Sequence, residues 1–73
     1  NNIPLYLQLL SIFMENIRKG IWEPGEKLPS EKELSHTYGV SLITVRKTLE
    51  ELNKKNLIYK IQGKGSFVSY GEV

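Results

Sequence analysis

Between Ser30 and Leu52 the sequence spells out where one helix begins, where it ends and where the next begins. Ser30 with Glu33 three residues later is a capping box, in which the serine side chain and the glutamate side chain each satisfy a free N–H of the first turn. Leu34 and Tyr38, four residues apart, predict an inward face for that helix. Gly39-Val40-Ser41 breaks the pattern. Glycine takes the left-handed stop, valine plugs the core, and serine caps the following helix. Val45, Leu49 and Leu52 then supply an i, i+4, i+7 stripe. Two short helices joined by a tight glycine turn make a helix-turn-helix.

The flanking segments extend this unit. Ile3-Pro4 opens a first helix expected over about Pro4 to Lys19, with Tyr6, Leu10, Phe13 and Ile17 on one face and Gly20 as its stop. Leu5, Leu7 and Ile12 fall off that stripe. Trp22 to Pro29 reads as a connector with a Pro24-Gly25 turn. After Asn56 the period changes to two: Leu57, Tyr59 and Ile61 alternate with Ile58, Lys60 and Gln62. Gly63-Lys64-Gly65 reads as a turn, and Ser66 to Tyr70 is rich in β-formers, with Phe67 and Val68 covering the core. The expected fold is therefore α+β, mainly α: three helices plus a C-terminal β-hairpin at about residues 57–70, a winged helix-turn-helix occupying residues 1–70.

Several functional classes are excluded by what the chain lacks. It has no cysteine, so neither a disulfide nor a thiolate metal site supplements a core that is small at 73 residues. His36 is the only histidine and reads as a helix-surface residue, which leaves no paired metal ligands. The carboxylates are all glutamates, mostly beside lysines on helix faces, as solvated pairs are. Gly63-Lys64-Gly65 is too short for a phosphate loop and does not precede a helix. No catalytic residue, metal or cofactor is expected. The apolar run from Leu5 to Ile17 is broken by Gln8, Ser11, Glu15 and Asn16, too short and too polar for a bilayer, and no cleavage pattern follows it. A cytoplasmic location without a membrane partner is the expectation.

Charge is small in sum, +2, but unevenly placed. Residues 41–70 carry six basic and two acidic groups, the remainder four basic and six acidic, the asymmetry expected of a nucleic-acid face. At 100° per residue, the core stripe of the third helix lies opposite Ile43, Lys47 and Lys54, with Thr44 and Arg46 flanking. Ser41, Ile43, Thr44, Arg46 and Lys47 thus crowd its first two turns, the part of a recognition helix that enters a major groove. Arginine forks onto guanine O6 and N7 or clamps phosphate, threonine does either more weakly, and an outward Ile43 suits a thymine methyl group. Lys32, in the first turn of the second helix, stands where phosphate is favoured. Gln62, Gly63, Lys64 and Gly65 at the hairpin tip suit a backbone and one cation lying along a groove. Each has a plainer reading: a solvated lysine for Lys32, a contact to another protein segment for Ile43, a simple tight turn for the tip.

The residues also resemble a known family. Pro4-Leu5-Tyr6-x-Gln8, Gly20, Pro24-Gly25 and Leu28-Pro29-Ser30-Glu31-x-Glu33-Leu34 are similar to the N-terminal domain of GntR-type regulators. Gly39-Val40-Ser41, Thr44-Val45-Arg46, Leu49, Leu57-Ile58 and Gly63-x-Gly65-Ser66-Phe67-Val68 complete the pattern over essentially the whole chain, the wing looking most like the HutC-type and related short branches. The resemblance implies that the domain binds double-stranded operator DNA as part of a homodimer, with the third helix in the major groove and the wing in the minor groove. It puts the helix-turn-helix proper at about residues 31–50, and Lys32, Ser41, Thr44, Arg46, Gln62 and Gly63 at DNA-contacting places. It further implies an effector-responsive repressor whose small-molecule effector binds a C-terminal domain absent from these residues, with residues 71–73 starting the linker to it. One departure is Leu42, where the family usually has arginine, so a charge-assisted contact is missing and the shared operator preference is in doubt. Two further readings remain beside this one: a winged-helix scaffold for protein–protein contact, and the front end of a fusion to an aminotransferase-like domain.

Overall fold

The computed structural model describes residues 2–70; the expected linker start at residues 71–73 lies outside them. Three helices, α1 (Leu5–Arg18), α2 (Glu31–Tyr38) and α3 (Leu42–Lys54), precede an antiparallel hairpin of β1 (Ile58–Ile61) and β2 (Gly65–Val68). This is the expected winged helix-turn-helix. None of the described helices is long and apolar enough to cross a membrane.

Helix boundaries follow local hydrogen bonding. Ser30 and Glu33 form both halves of the capping box, with Glu33 N–H donating to Ser30 Oγ at 3.1 Å and Ser30 N–H to Glu33 Oε1 at 2.9 Å. Gly39 closes α2 at φ 66°, and the Ser41 side chain accepts from Thr44 N–H at the start of α3. At the end of α3, Asn56 takes the left-handed position at φ 62°, and the Leu57 N–H returns 3.0 Å to the Leu52 carbonyl. The limits of α1 differ slightly from expectation. Pro4 is extended (ψ 145°) and precedes the helix, its carbonyl accepting from Leu7 and Gln8, so α1 begins at Leu5 and ends at Arg18. The third helix runs to Lys54, in keeping with a stripe that reaches Leu52 and an outer face that reaches Lys54.

The core joins all five elements: Leu9, Leu10 and Phe13 from α1, Leu34 from α2, Val45, Leu49 and Leu52 from α3, Ile58 and Val68 from the hairpin. Phe13 is fully buried, with the Trp22 ring edge-on at 5.0 Å and the Tyr38 ring at 5.3 Å. The inward face of α1 is centred on Leu9, Leu10 and Phe13, so Tyr6 and Ile17 sit at its margins, half-buried. Leu5, Leu7 and Ile12 are exposed.

The hairpin's pairing decides which of the two alternating sets faces inward. Ile58 pairs with Val68, and both face the core; Tyr59 pairs with Phe67, and their rings stack on the opposite face. Of the alternating set Leu57, Tyr59 and Ile61, Leu57 is half-buried and packs at the core's edge, and Tyr59 and Ile61 are exposed, because the left-handed Asn56 turns Ile58 inward instead. Phe67 accordingly leaves the core that Val68 enters. The tip is Gln62-Gly63-Lys64, and Gly65 belongs to β2 opposite Ile61. The connector is more than a link. Lys27 bridges Phe67, Leu28 N–H donates to the Ser66 carbonyl at 2.8 Å, and Val68 N–H to the Glu26 carbonyl at 2.9 Å, which adds an edge to the wing and buries Trp22 and Leu28.

Candidate nucleic-acid interface

Helix α3 offers its first two turns to solvent because Val45, Thr48, Leu49 and Leu52 hold its other side in the core. Thr48 is polar yet fully buried; its hydroxyl donates back to the Thr44 carbonyl at 2.8 Å, so no polar atom is stranded there. On the outer side Ile43 is 76% exposed, too much for a residue with a structural role within the domain. Ser41 Oγ and Thr44 Oγ1 lie 3.0 Å apart and share a hydrogen bond, which orients both hydroxyls at the helix start.

Two cations on this face are held by partners that have no counterpart in local sequence spacing. Arg46 Nε donates to Glu31 Oε1, the first residue of α2, at 2.9 Å. Lys47 Nζ lies 4.8 Å from the centre of the Tyr6 ring on α1. Helix α3 is thus tied on one flank to α2 and on the other to α1, by side chains that also point toward the outer surface.

A groove runs between the start of α2, the flank of α3 and the hairpin. Lys27, Lys32, Arg46, Lys60 and Lys64 line it, with Glu31 as its carboxylate and Gly65 and Ser66 on its wing side. Of the residues expected at the interface, Lys32, Arg46, Lys64 and Gly65 meet here. Ser41, Ile43 and Thr44 lie outside it at the exposed start of α3, Lys47 leans toward α1, and Gln62 and Gly63 project at the exposed wing tip. Gly65 is favoured by its φ of 124°; a Cβ there would stand 3.0 Å from Lys27 Cε, the end of an exposed side chain that can move aside.

Sequence reading missed Lys27, Lys60, Glu31 and Tyr6. Lys60 had a usable signal, since it shares the strand phase of Ile58 and therefore faces the helices. Lys27, Glu31 and Tyr6 had none, because their roles depend on elements meeting in space. Away from this face, Arg18 hydrogen-bonds Glu15 and holds that carboxyl below its ordinary range, an exposed pair at the end of α1.

The model for bacterial regulatory proteins of the gntR family matches residues 5–68. The HTH-type transcriptional regulator YurK of Bacillus subtilis is 46% identical over 68 residues, covering 93% of this chain and 28% of that protein. The HTH-type transcriptional repressor NagR of the same organism is 39% identical over 92% of this chain and 28% of its own length. Among solved structures, AraR(DBD) in complex with operator ORR3 superposes with a TM-score of 0.89 at 36% identity, covering 94% of this chain and 83% of that one. The chain spans under a third of the two curated relatives.

Proposed function

This chain belongs to the gntR family of bacterial regulatory proteins, and from that premise we propose that it is the operator-reading module of a bacterial transcription regulator. The carrying observation is the exposed first half of α3, with Ser41, Ile43, Thr44, Arg46 and Lys47 turned outward beside a groove lined by five cations. An α-helix fits the major groove, where base edges carry a distinct donor and acceptor pattern. Arg46, Thr44 and Ser41 supply hydrogen bonds there, and Ile43 an apolar surface for a thymine methyl. Lys27, Lys32, Lys60 and Lys64 neutralise phosphates beside it, and Gln62, Gly63, Lys64 and Gly65 lay the wing along the adjacent groove. Leu42 is half-buried and lines the groove, so the contact an arginine would make there is replaced by packing.

In this reading residues 1–70 are the DNA-binding domain, followed from 71–73 by a linker to a further domain. The complete regulator is a cytoplasmic homodimer acting as a repressor under a small-molecule effector. NagR is named a repressor and AraR(DBD) was solved on its operator, which supports this assignment.

Selection of bound duplexes from a random pool tests it, followed by affinity against salt. Four phosphate contacts per subunit give a log K against log salt slope of about −4. A flat slope with no enriched sequence would turn the reading toward a protein-contact scaffold.

A further inference from the structure

The Arg46–Glu31 pair joins residues 15 positions apart, on the second turn of α3 and the first residue of α2, through a single bond from Nε. That bond uses the guanidinium's side donor and leaves its two terminal nitrogens, the fork that matches guanine O6 and N7. The anchor itself is fixed: Glu31 opens a helix whose first turn is locked by the Ser30–Glu33 box, at the end where the helix dipole favours a carboxylate. Glu31 also stands among five cations in the groove, a placement that opposes simple attraction of DNA, while Glu50 lines the adjoining hollow beside Arg46 without a hydrogen bond to it. A negative charge 2.9 Å from Arg46 disfavours phosphate as that arginine's partner and leaves an uncharged base edge as the better one.

We propose that Glu31 is a positioning residue that sets base preference by presenting Arg46 to a guanine, and does not itself touch DNA. The inference rests on the reading of α3 as the groove-entering helix. Removing Glu31 frees a side chain that is mostly exposed to swing onto the nearest phosphate, so the domain keeps its affinity and loses its discrimination at one base pair.

The test measures the full 73-residue chain against the duplex best enriched by the wild type and its single-base variants. Glu31→Ala should lower the preference for the guanine at one position by about tenfold, within the range a bidentate arginine supplies, with other positions unchanged. Glu31→Gln, which keeps an acceptor oxygen for Nε, should retain most of that preference. Glu31→Asp keeps the charge at the helix start and so protects folding, but falls a methylene short and should show the same positional loss as Glu31→Ala. In an Arg46→Ala background, Glu31→Ala should change nothing further at that position. The proposal is overturned if Glu31→Ala raises affinity for all duplexes alike, which makes Glu31 a mere repeller, or if the ranking of bases does not move in Glu31→Asp. A wild type that binds every duplex equally would instead remove the underlying reading of α3, a result distinct from an intact ranking that Glu31 does not affect.

Discussion

The Lys47 ammonium lies 4.8 Å from the centre of the Tyr6 ring, so the start of α1 holds a cation of α3 at the outer surface. Such a contact contributes about 0.5–1 kcal/mol at an exposed site and limits where the lysine reaches. Lys47→Ala should weaken binding to all duplexes and reduce the salt slope by about 1. Tyr6→Phe should leave both unchanged, since the ring face is kept. An unaltered slope in Lys47→Ala would take this lysine out of the interface.

Arg46→Ala should cost about 1–3 kcal/mol of binding and relax preference at a single base pair. Competition among single-base variants reads this directly. A loss spread evenly over all sequences would make Arg46 a phosphate clamp.

Lys64 at the wing tip carries no base-reading fork, so its substitution should act through charge alone. Lys64→Ala is expected to weaken binding broadly, with a salt slope about 1 unit shallower. Lys60→Ala, on the groove side of β1, should do the same. Slopes equal to wild type in both would remove the wing from contact with DNA.

Phe13 is fully buried, with the rings of Trp22 and Tyr38 edge-on against it. Phe13→Ala should therefore destabilise by about 3–5 kcal/mol, transfer and cavity costs together. That is a large share of the roughly 5–15 kcal/mol that holds a small domain folded. Urea denaturation measures it; a loss under about 1 kcal/mol would mean that the aromatic cluster is not the centre of the core.

Gly39 stands at φ 66° with open space where a Cβ would project, so only backbone strain opposes a side chain. Gly39→Ala should cost about 1–2 kcal/mol, and Gly39→Asn less, since asparagine tolerates the left-handed region. Equal melting of wild type and alanine variant would show that the turn relaxes around the substitution.

The helix-turn-helix was legible because its limits are written in hydrogen bonds that span three to five residues. Ser30 finds Glu33, Ser41 finds Thr44, and Gly39 ends its helix without reference to anything distant. The outward set on α3 followed as well, since burying Val45, Leu49 and Leu52 leaves Ile43, Arg46 and Lys47 no other side. Periodicity alone found the hairpin but left its inward face open. Both alternating sets carry a large apolar side chain, Ile61 in one and Ile58 in the other, and only the Asn56 turn and the pairing with Val68 decide which set faces the helices.

What tertiary structure alone decided is which side chains meet. Lys27 reaches the wing only because its segment hydrogen-bonds along β2, Tyr6 reaches Lys47 only because α1 crosses α3, and Glu31 reaches Arg46 only at the joint of α2 and α3. The physical reason is range. Capping and periodicity act within one or two turns, whereas the electrostatics of the candidate site depend on charges brought together by hydrophobic packing of elements far apart in the chain.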